Sequence, residues 1–107
     1  MGEPQFSEDG HHIIVAGRRW RASDPLLPEA TRETLVRHLM AARRAVARAG
    51  RDGDTGAERV ARARVQQAKL GLGERGVPWW ECSTAERRAR WESALHDLDA
   101  RAPHPEH

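Results

Sequence analysis

The chain has 107 residues, which is enough for one domain with one modest hydrophobic core. Charged residues make up 32% of it and apolar residues 38%, so the core is lean and the four Trp must supply much of it. A single Cys excludes an intramolecular disulfide and fits a reducing compartment. The sequence has neither a transmembrane run of about 18 apolar residues nor the basic-then-apolar order of a signal peptide. We therefore expect a cytoplasmic protein that does not enter a membrane.

The net charge of +2 is unevenly distributed along the chain. Between Arg32 and Arg75 there are 11 Lys or Arg against 5 Asp or Glu, a net charge of +6, and the remainder carries −4. A basic centre attracts anionic partners. A solvated helical face has the same composition, however, and is the more common explanation.

The N-terminal part of the chain predicts a tail followed by a β-hairpin. Residues 1–10 have no hydrophobic periodicity and are predicted to be disordered. Residues 11–22 are predicted to form two strands around a two-residue turn at Ala16-Gly17, which pairs Ile13 with Trp20. Alternate residues on one face of this hairpin are predicted to contact the core: Ile13, Val15, Trp20 and Ala22.

Two amphipathic helices follow and are predicted to form a tight antiparallel hairpin. The first runs from about Pro28 to Ala49 and ends at Gly50, and the second is capped by Asp54 or Thr55 and is ended by Gly71 and Gly73. The apolar seam of the first helix comprises Leu35, Leu39, Ala42, Val46 and Ala49. The seam of the second comprises Ala57, Ala61, Val65, Ala68 and Leu72, with Val60 alongside. Because many of these side chains are small, the two helices can approach closely.

A third helix is predicted to close the fold. Ser83 and Glu86 have the spacing of a capping box at its start, and Pro103 stops it. Its apolar stripe comprises Trp91, Leu95, Leu98 and Ala102. The predicted fold is therefore mainly α: one small helical domain over residues 11–102 with an N-terminal β-hairpin packed on the helices, and a frayed tail at 103–107.

Residues 71–76, Gly-Leu-Gly-Glu-Arg-Gly, match the phosphate-binding pattern G-x-G-x-x-G. That mechanism needs a strand before the glycines and a helix N-terminus after them, so that backbone amides face a pyrophosphate. Here the pattern follows a helix and no βαβ unit surrounds it. Helix termination is the better interpretation.

The segment from Arg75 to Glu81, which contains the adjacent Trp79 and Trp80, is the strongest candidate for a binding site. At least one of these Trp is expected to fill the core, while the other can serve as a half-exposed anchor, since Trp and Arg are enriched in binding hot spots. The hairpin adds Arg19 and Arg21 on one face, a small basic platform that is also consistent with an ordinary solvated strand. The predicted binding residues are Arg19, Arg21, Arg75, Trp79, Trp80 and Glu81. An alternative anion-binding set lies on the helical hairpin: Arg43, Arg44, Arg48, Arg59 and Arg62.

No arrangement of residues indicates catalysis, a cofactor or a metal. The six His and the lone Cys82 do not supply the four ligands of a structural zinc site. Ser93, His96 and Asp97 lie on one predicted helix, whereas a catalytic triad needs its members held by separate elements. The sequence therefore favours a non-enzymatic protein, with an enzyme or metalloprotein as the remaining alternative.

Several segments of residues 12–81 together resemble a family of small proteins from high-GC Gram-positive bacteria, the actinobacteria. They are Gly-Arg-Arg-Trp-Arg at 17–21, Ser-Asp-Pro at 23–25, Leu-Met-Ala-Ala-Arg-Arg-Ala at 39–45, Ala-Arg-Ala-Arg-Val-Gln at 61–66 and Leu-Gly-Glu-Arg-Gly-Val-Pro-Trp-Trp-Glu at 72–81. Members of this family often have the automatic label "biopolymer transporter Tol". A membrane component of such a system needs a transmembrane helix and a propeller component needs repeated β-blades, and this sequence has neither. The resemblance therefore implies a family but no catalytic residue.

From the sequence we expect a protein-interaction module that binds a protein partner or its own copy through the Trp-rich segment. The alternative is a nucleic-acid-associated protein that uses the Arg-rich helical face.

Overall fold

The computed structural model describes residues 5–101, which form three helices and a small antiparallel sheet. The strands are β1 (Gln5–Phe6), β2 (His12–Val15) and β3 (Arg18–Arg21), and the helices are α1 (Glu29–Asp52), α2 (Thr55–Leu72) and α3 (Thr84–Arg101), with one 3-10 turn at Trp79–Glu81. The predicted fold class, mainly α with an N-terminal β-hairpin, is confirmed. The predicted end of the third helix at Pro103 and the tail at 103–107 lie outside the described residues.

The sheet contains a strand that the sequence did not predict. Its order is β1-β2-β3, and the predicted pairing of β2 with β3 is confirmed, with Ile13 opposite Trp20. Residues 5–10, which were placed in a disordered tail, instead form β1 and a tight turn, with Phe6 opposite Ile13. Asp9 stabilises this turn because its Oδ1 accepts hydrogen bonds from the Ser7 hydroxyl at 2.6 Å and from the His11 amide at 2.9 Å. These bonds lower the pKa of the Asp9 carboxyl.

The turn between β2 and β3 has the geometry that a two-residue hairpin requires. Ala16 has φ 52° and Gly17 has φ 78°, so both central residues are left-handed, as in a type I′ turn. Gly adopts this conformation freely, whereas Ala adopts it at a cost of about 1 kcal/mol. The register therefore forms in spite of Ala16 and not because of it.

The prediction that one face of the hairpin contacts the core is wrong for two of its four residues. Ala22 is buried and Ile13 is half-buried, but Val15 and Trp20 are 44% and 41% exposed. The Trp20 ring forms cation–π contacts with two side chains: the Arg18 guanidinium lies 4.6 Å from the ring centroid and the Lys69 Nζ lies 5.7 Å from it. The base of the sheet, next to the buried Ala22, contacts the helical part, whereas residues 15–20 at the other end of the hairpin are exposed.

The helical hairpin has the predicted seams with shifted ends. α1 continues through Gly50 to Asp52, so its predicted end at Ala49 is wrong. The left-handed cap is Gly53, with φ 68°, three residues after the predicted stop at Gly50. The predicted start of α2 is confirmed, since the Asp54 carboxylate accepts a hydrogen bond from the Ala57 amide at 3.0 Å. On α2, Ala57 and Val60 are exposed near the tip of the hairpin and do not belong to the buried seam.

The hydrophobic core lies where the three helices meet. Its members come from all three helices and from the turn before α1: Leu27, Leu35, Leu39, Ala68, Leu72, Trp91, Ala94 and Leu98. Burying one such Leu contributes about 1.5–3 kcal/mol. The predicted capping box starts α3, because the Ser83 hydroxyl accepts from the Glu86 amide at 3.1 Å and the Glu86 carboxylate accepts from the Ser83 amide at 2.7 Å. Ala94 belongs to this core although the predicted stripe omitted it.

Each glycine of the G-x-G-x-x-G pattern has a separate structural reason. A Cβ on Gly71 would lie 2.7 Å from the Ala94 Cβ, so this glycine allows α2 and α3 to pack closely. Gly73 caps α2 with φ 84°, and Gly76 has φ 78° in the following loop. The pattern is therefore explained by helix packing and helix termination, as the sequence analysis favoured.

We predict opposite effects of two helical Gly→Ala substitutions on the free energy of unfolding. Gly50→Ala lies in α1 with nothing within 4 Å of the new Cβ, and it should stabilise the protein by about 0.5–1 kcal/mol through helix propensity. Gly71→Ala should destabilise it by about 1–3 kcal/mol, because the backbone of α3 must move. Urea denaturation of both variants measures the difference. Equal effects would contradict the close approach of α2 and α3 at this glycine.

Candidate functional site

A buried ion pair joins the end of the sheet to the start of α3. Asp24 is 1% exposed, and the Arg87 guanidinium binds it with two nitrogens: Nε donates to Oδ2 at 2.9 Å and Nη2 donates to Oδ1. The Leu26 amide also donates to Asp24 Oδ1, at 2.8 Å. The Asp24 amide donates to the Leu72 carbonyl at 2.9 Å, so the end of α2 is held at the same point.

The charge of Asp24 is stabilised in the folded protein. Burial by itself raises the pKa of this carboxyl, but the hydrogen bonds from Arg87 and the Leu26 amide and the nearby positive charge of Arg87 outweigh burial. The pKa of Asp24 is therefore below its usual range. Correspondingly, the hydrogen bond to Asp24 raises the pKa of Arg87.

Trp79 is the aromatic partner of this ion pair. It is 8% exposed, its Nε1 donates to the Ala22 carbonyl at 2.9 Å, and the Arg87 guanidinium lies 5.2 Å from its ring centroid. The indole therefore connects the base of the sheet to α3 and satisfies its own N–H.

Trp80 points to the surface and stacks on the sheet. Its ring is half-buried and lies parallel to the His11 ring, with centroids 3.9 Å apart and an interplanar angle of 8°. Trp79 contacts it edge-on at 5.1 Å, and the Arg21 guanidinium lies 5.8 Å from its centroid. One Trp therefore lies in the core and the other is half-exposed, as was expected of the adjacent Trp79 and Trp80. We call Trp79, Trp80, His11, Arg21 and Arg87 the tryptophan junction.

The loop that carries the two Trp is held by cations from two elements. Arg21 of β3 donates from Nη1 to the Gly76 carbonyl at 2.8 Å, and Arg90 of α3 donates from Nη1 to the Val77 carbonyl at 2.7 Å. Glu74 accepts a hydrogen bond from the Ser23 hydroxyl at 2.6 Å, and its carboxylate lies 4.0 Å from the Lys69 Nζ. These bonds fix the orientation of the half-exposed Trp80 ring.

The six predicted binding residues do not all meet. The structure brings Arg21, Trp79 and Trp80 together. Arg19 is linked to them through His12: Arg19 Nη2 lies 3.2 Å from the His12 Nδ1, and the His12 ring contacts Trp80 edge-on at 5.7 Å. Arg75 turns away and donates to Gln66 of α2. Glu81 is exposed in the 3-10 turn.

Three residues of this region were missed by sequence reasoning. His11 was placed at the start of the hairpin, Asp24 was named only within the Ser-Asp-Pro segment, and Arg87 was not singled out. A Ser-Asp-Pro segment does signal a local cap, and Asp24 does accept the Leu26 amide. Its main partner, Arg87, is 63 residues away along the chain, and no local sequence pattern predicts that contact.

The alternative anion-binding residues are exposed along α1 and α2: Arg43, Arg44, Arg48, Arg59 and Arg62. Arg62 forms a salt bridge with Glu58 of its own helix at 2.8 Å. Arg59 lines a shallow groove of about 470 Å³ beside Val60 and Ala63. The set is a distributed basic surface and does not converge on one point.

Within residues 5–101, no group of three or more His, Cys, Asp or Glu side chains is placed to hold a metal ion. Across the same range, each helix is too short or too polar to cross a membrane. Comparison of the chain with models of protein families, with curated proteins and with solved structures finds no match. The resemblance to small actinobacterial proteins therefore stays a prediction.

We predict that Asp24→Asn destabilises the protein by about 2–4 kcal/mol at pH 7, because Arg87 loses its buried counter-charge. The difference from the parent should shrink in acid. The folded pKa of Asp24 is lowered, so its contribution is complete above the unfolded value of about 4 and is lost as the pH falls through the folded value.

Urea denaturation of both proteins between pH 7 and pH 2 tests this. The other acidic groups with lowered pKa, Asp9 and Glu86, titrate in both proteins and cancel in the difference. A difference in unfolding free energy that stays constant down to pH 2 would contradict the assigned role of the Asp24 charge.

Proposed function

We propose that the protein is a non-enzymatic interaction module that binds a protein partner, or a second copy of itself, through the tryptophan junction and the adjoining sheet. The observation that supports this most is the Trp80 ring, which is half exposed although its orientation is fixed by His11, Trp79 and Arg21. Trp and Arg are among the residue types most enriched in binding hot spots. Because the ring is already ordered, binding loses little side-chain entropy.

The alternative that we retain is a nucleic-acid-associated protein that uses Arg43, Arg44, Arg48, Arg59 and Arg62. All five are exposed, and four of them form no salt bridge with another residue of the range 5–101. Unpaired surface guanidiniums suit phosphate contacts, which weaken steeply with salt because counterions are released on binding. Binding to nucleic acid that does not change between 50 and 200 mM salt would rule out this alternative.

A pull-down from a lysate of the native host, with and without nuclease, tests the two functions. We predict that proteins captured after nuclease treatment are lost, by at least about tenfold, with the Trp80→Ala variant, as expected for a hot-spot residue. The fold should survive, because the Trp80 ring is only half-buried and lies outside the core cluster; its aromatic contacts add about 0.5–1.5 kcal/mol to the area that it buries. Analytical ultracentrifugation of the same variant tests self-association.

Two further variants control this experiment. Val60→Ala removes an exposed apolar side chain of α2, 63% exposed and outside the tryptophan junction, and should leave capture unchanged. Trp79→Ala should destabilise the fold by about 3–5 kcal/mol and shows what loss of structure alone does to binding. Capture that survives Trp80→Ala in full would contradict the proposed surface, and loss of all partners on nuclease treatment would favour the nucleic-acid alternative.

A further inference from the structure

The outer edge of β3 has backbone groups without a strand beside them. The Ala22 amide donates to the His11 carbonyl at 2.9 Å, and pairs along an antiparallel ladder alternate between bonded and non-bonded. His12–Arg21 and Ile14–Arg19 are therefore the non-bonded pairs of the β2–β3 register. On the other side of β2, the His12 carbonyl accepts from the Ser7 amide at 2.9 Å, which agrees with this assignment.

It follows that the N–H and C=O of Arg19 and Arg21 point away from β2. Among residues 5–101, no hydrogen bond satisfies these four backbone groups. β3 is also the longer of the two edge strands, with four residues against two in β1. An edge of this kind is a template for an added strand.

The two faces of β3 differ in chemistry. On one face Trp20 extends a row of apolar side chains through Ile13 to Phe6, which is 65% exposed. On the other face are Arg19 and Arg21. Arg18 shares the Trp20 face, and its guanidinium lies 4.6 Å from the Trp20 ring centroid. A strand added to this edge would therefore meet the apolar row beside Arg18 on one face, and Arg19 and Arg21 on the other.

We propose that β3 accepts, as a fourth antiparallel strand, an extended segment of a partner protein in which acidic and apolar residues alternate. The acidic residues lie directly opposite Arg19 and Arg21 and exchange backbone hydrogen bonds with them, and the apolar residues extend the Trp20 row. Pairing of two β3 edges from two copies of this chain does not fit this pattern, because it brings Arg against Arg. This inference rests on the proposed function for the class of partner and adds its sequence pattern and its mode of binding.

The test uses fluorescein-labelled heptapeptides and the full chain, measured by fluorescence anisotropy. The probe Val-Glu-Val-Glu-Val-Glu-Val should bind with a Kd below about 1 mM. Lys in place of Glu should abolish binding, and a peptide of the same composition with its Glu grouped together should bind at least about tenfold more weakly, because alternation is lost.

Backbone pairing is tested by N-methylation of the probe, which requires no change to the protein. In an antiparallel pair, the residue opposite Arg19 exchanges backbone bonds with it, so the Glu amides face β3 and the Val amides face solvent. N-methyl-Glu should therefore weaken binding at least about tenfold, whereas N-methyl-Val should change it by less than about threefold. Equal effects of the two modifications would overturn strand addition.

Two variants locate the site. Arg19→Glu should weaken binding of the alternating probe at least about tenfold, and the matched control Arg44→Glu on α1 should leave it unchanged. Arg21 is not used because it also holds the Gly76 carbonyl. Absence of binding at 1 mM peptide, or equal effects of both variants, would overturn the inference. Neither result affects the proposed function, which depends on loss of captured partners with Trp80→Ala.

Discussion

The ion pair between Asp24 and Arg87 is the contact on which the arrangement of this protein depends. A carboxylate that is 1% exposed is unfavourable unless a cation and hydrogen bonds compensate for its lost hydration. Arg87 supplies the cation and two of those bonds, and the Leu26 amide supplies another. Since Asp24 follows the sheet and Arg87 lies in the first turn of α3, this one pair fixes both elements against the end of α2.

The positions of both Trp follow from that constraint. With Ala22 held next to Asp24, its carbonyl is placed to accept the Trp79 N–H, and the Arg87 guanidinium lies over the same indole. Gly73 is required here, because a Cβ would lie 3.0 Å from the Asp24 Cβ and 3.2 Å from Trp79. Trp80, the next residue along the chain, is then directed outward against His11. A buried polar contact thus determines the orientation of a surface aromatic.

The sequence predicted the elements whose signals are local. A two-residue loop at Ala16-Gly17 predicted the hairpin register correctly, and Ser83 with Glu86 marked the start of α3. The end of α1 was misplaced because Gly50 and Gly53 are both plausible stops and the apolar periodicity does not distinguish them. β1 was missed because a strand of two residues has no periodicity to detect.

The candidate site was only partly predictable for a different reason. Two adjacent Trp must diverge, so one buried and one half-exposed ring could be anticipated, but which of them is buried depends on Ala22 and Arg87. The exposed Val15 and Trp20 show the same limit, since alternation identifies a face of the hairpin and not what covers that face. Asp24 has a local role as an acceptor for Leu26 and a distant partner in Arg87, and only the second organises the fold.

The most direct test of this account is a double-mutant cycle on the ion pair, using Asp24→Asn, Arg87→Gln and the double variant, with unfolding free energies from urea denaturation. The contact of Arg87 with Trp79 cancels in this cycle, because Arg87→Gln removes it equally from the parent and from Asp24→Asn. We predict a coupling free energy of about 2 kcal/mol or more, because each single substitution leaves the other member of the ion pair without its counterpart. Additivity within about 0.5 kcal/mol would show that the two side chains do not stabilise each other, and would contradict the central role given to them.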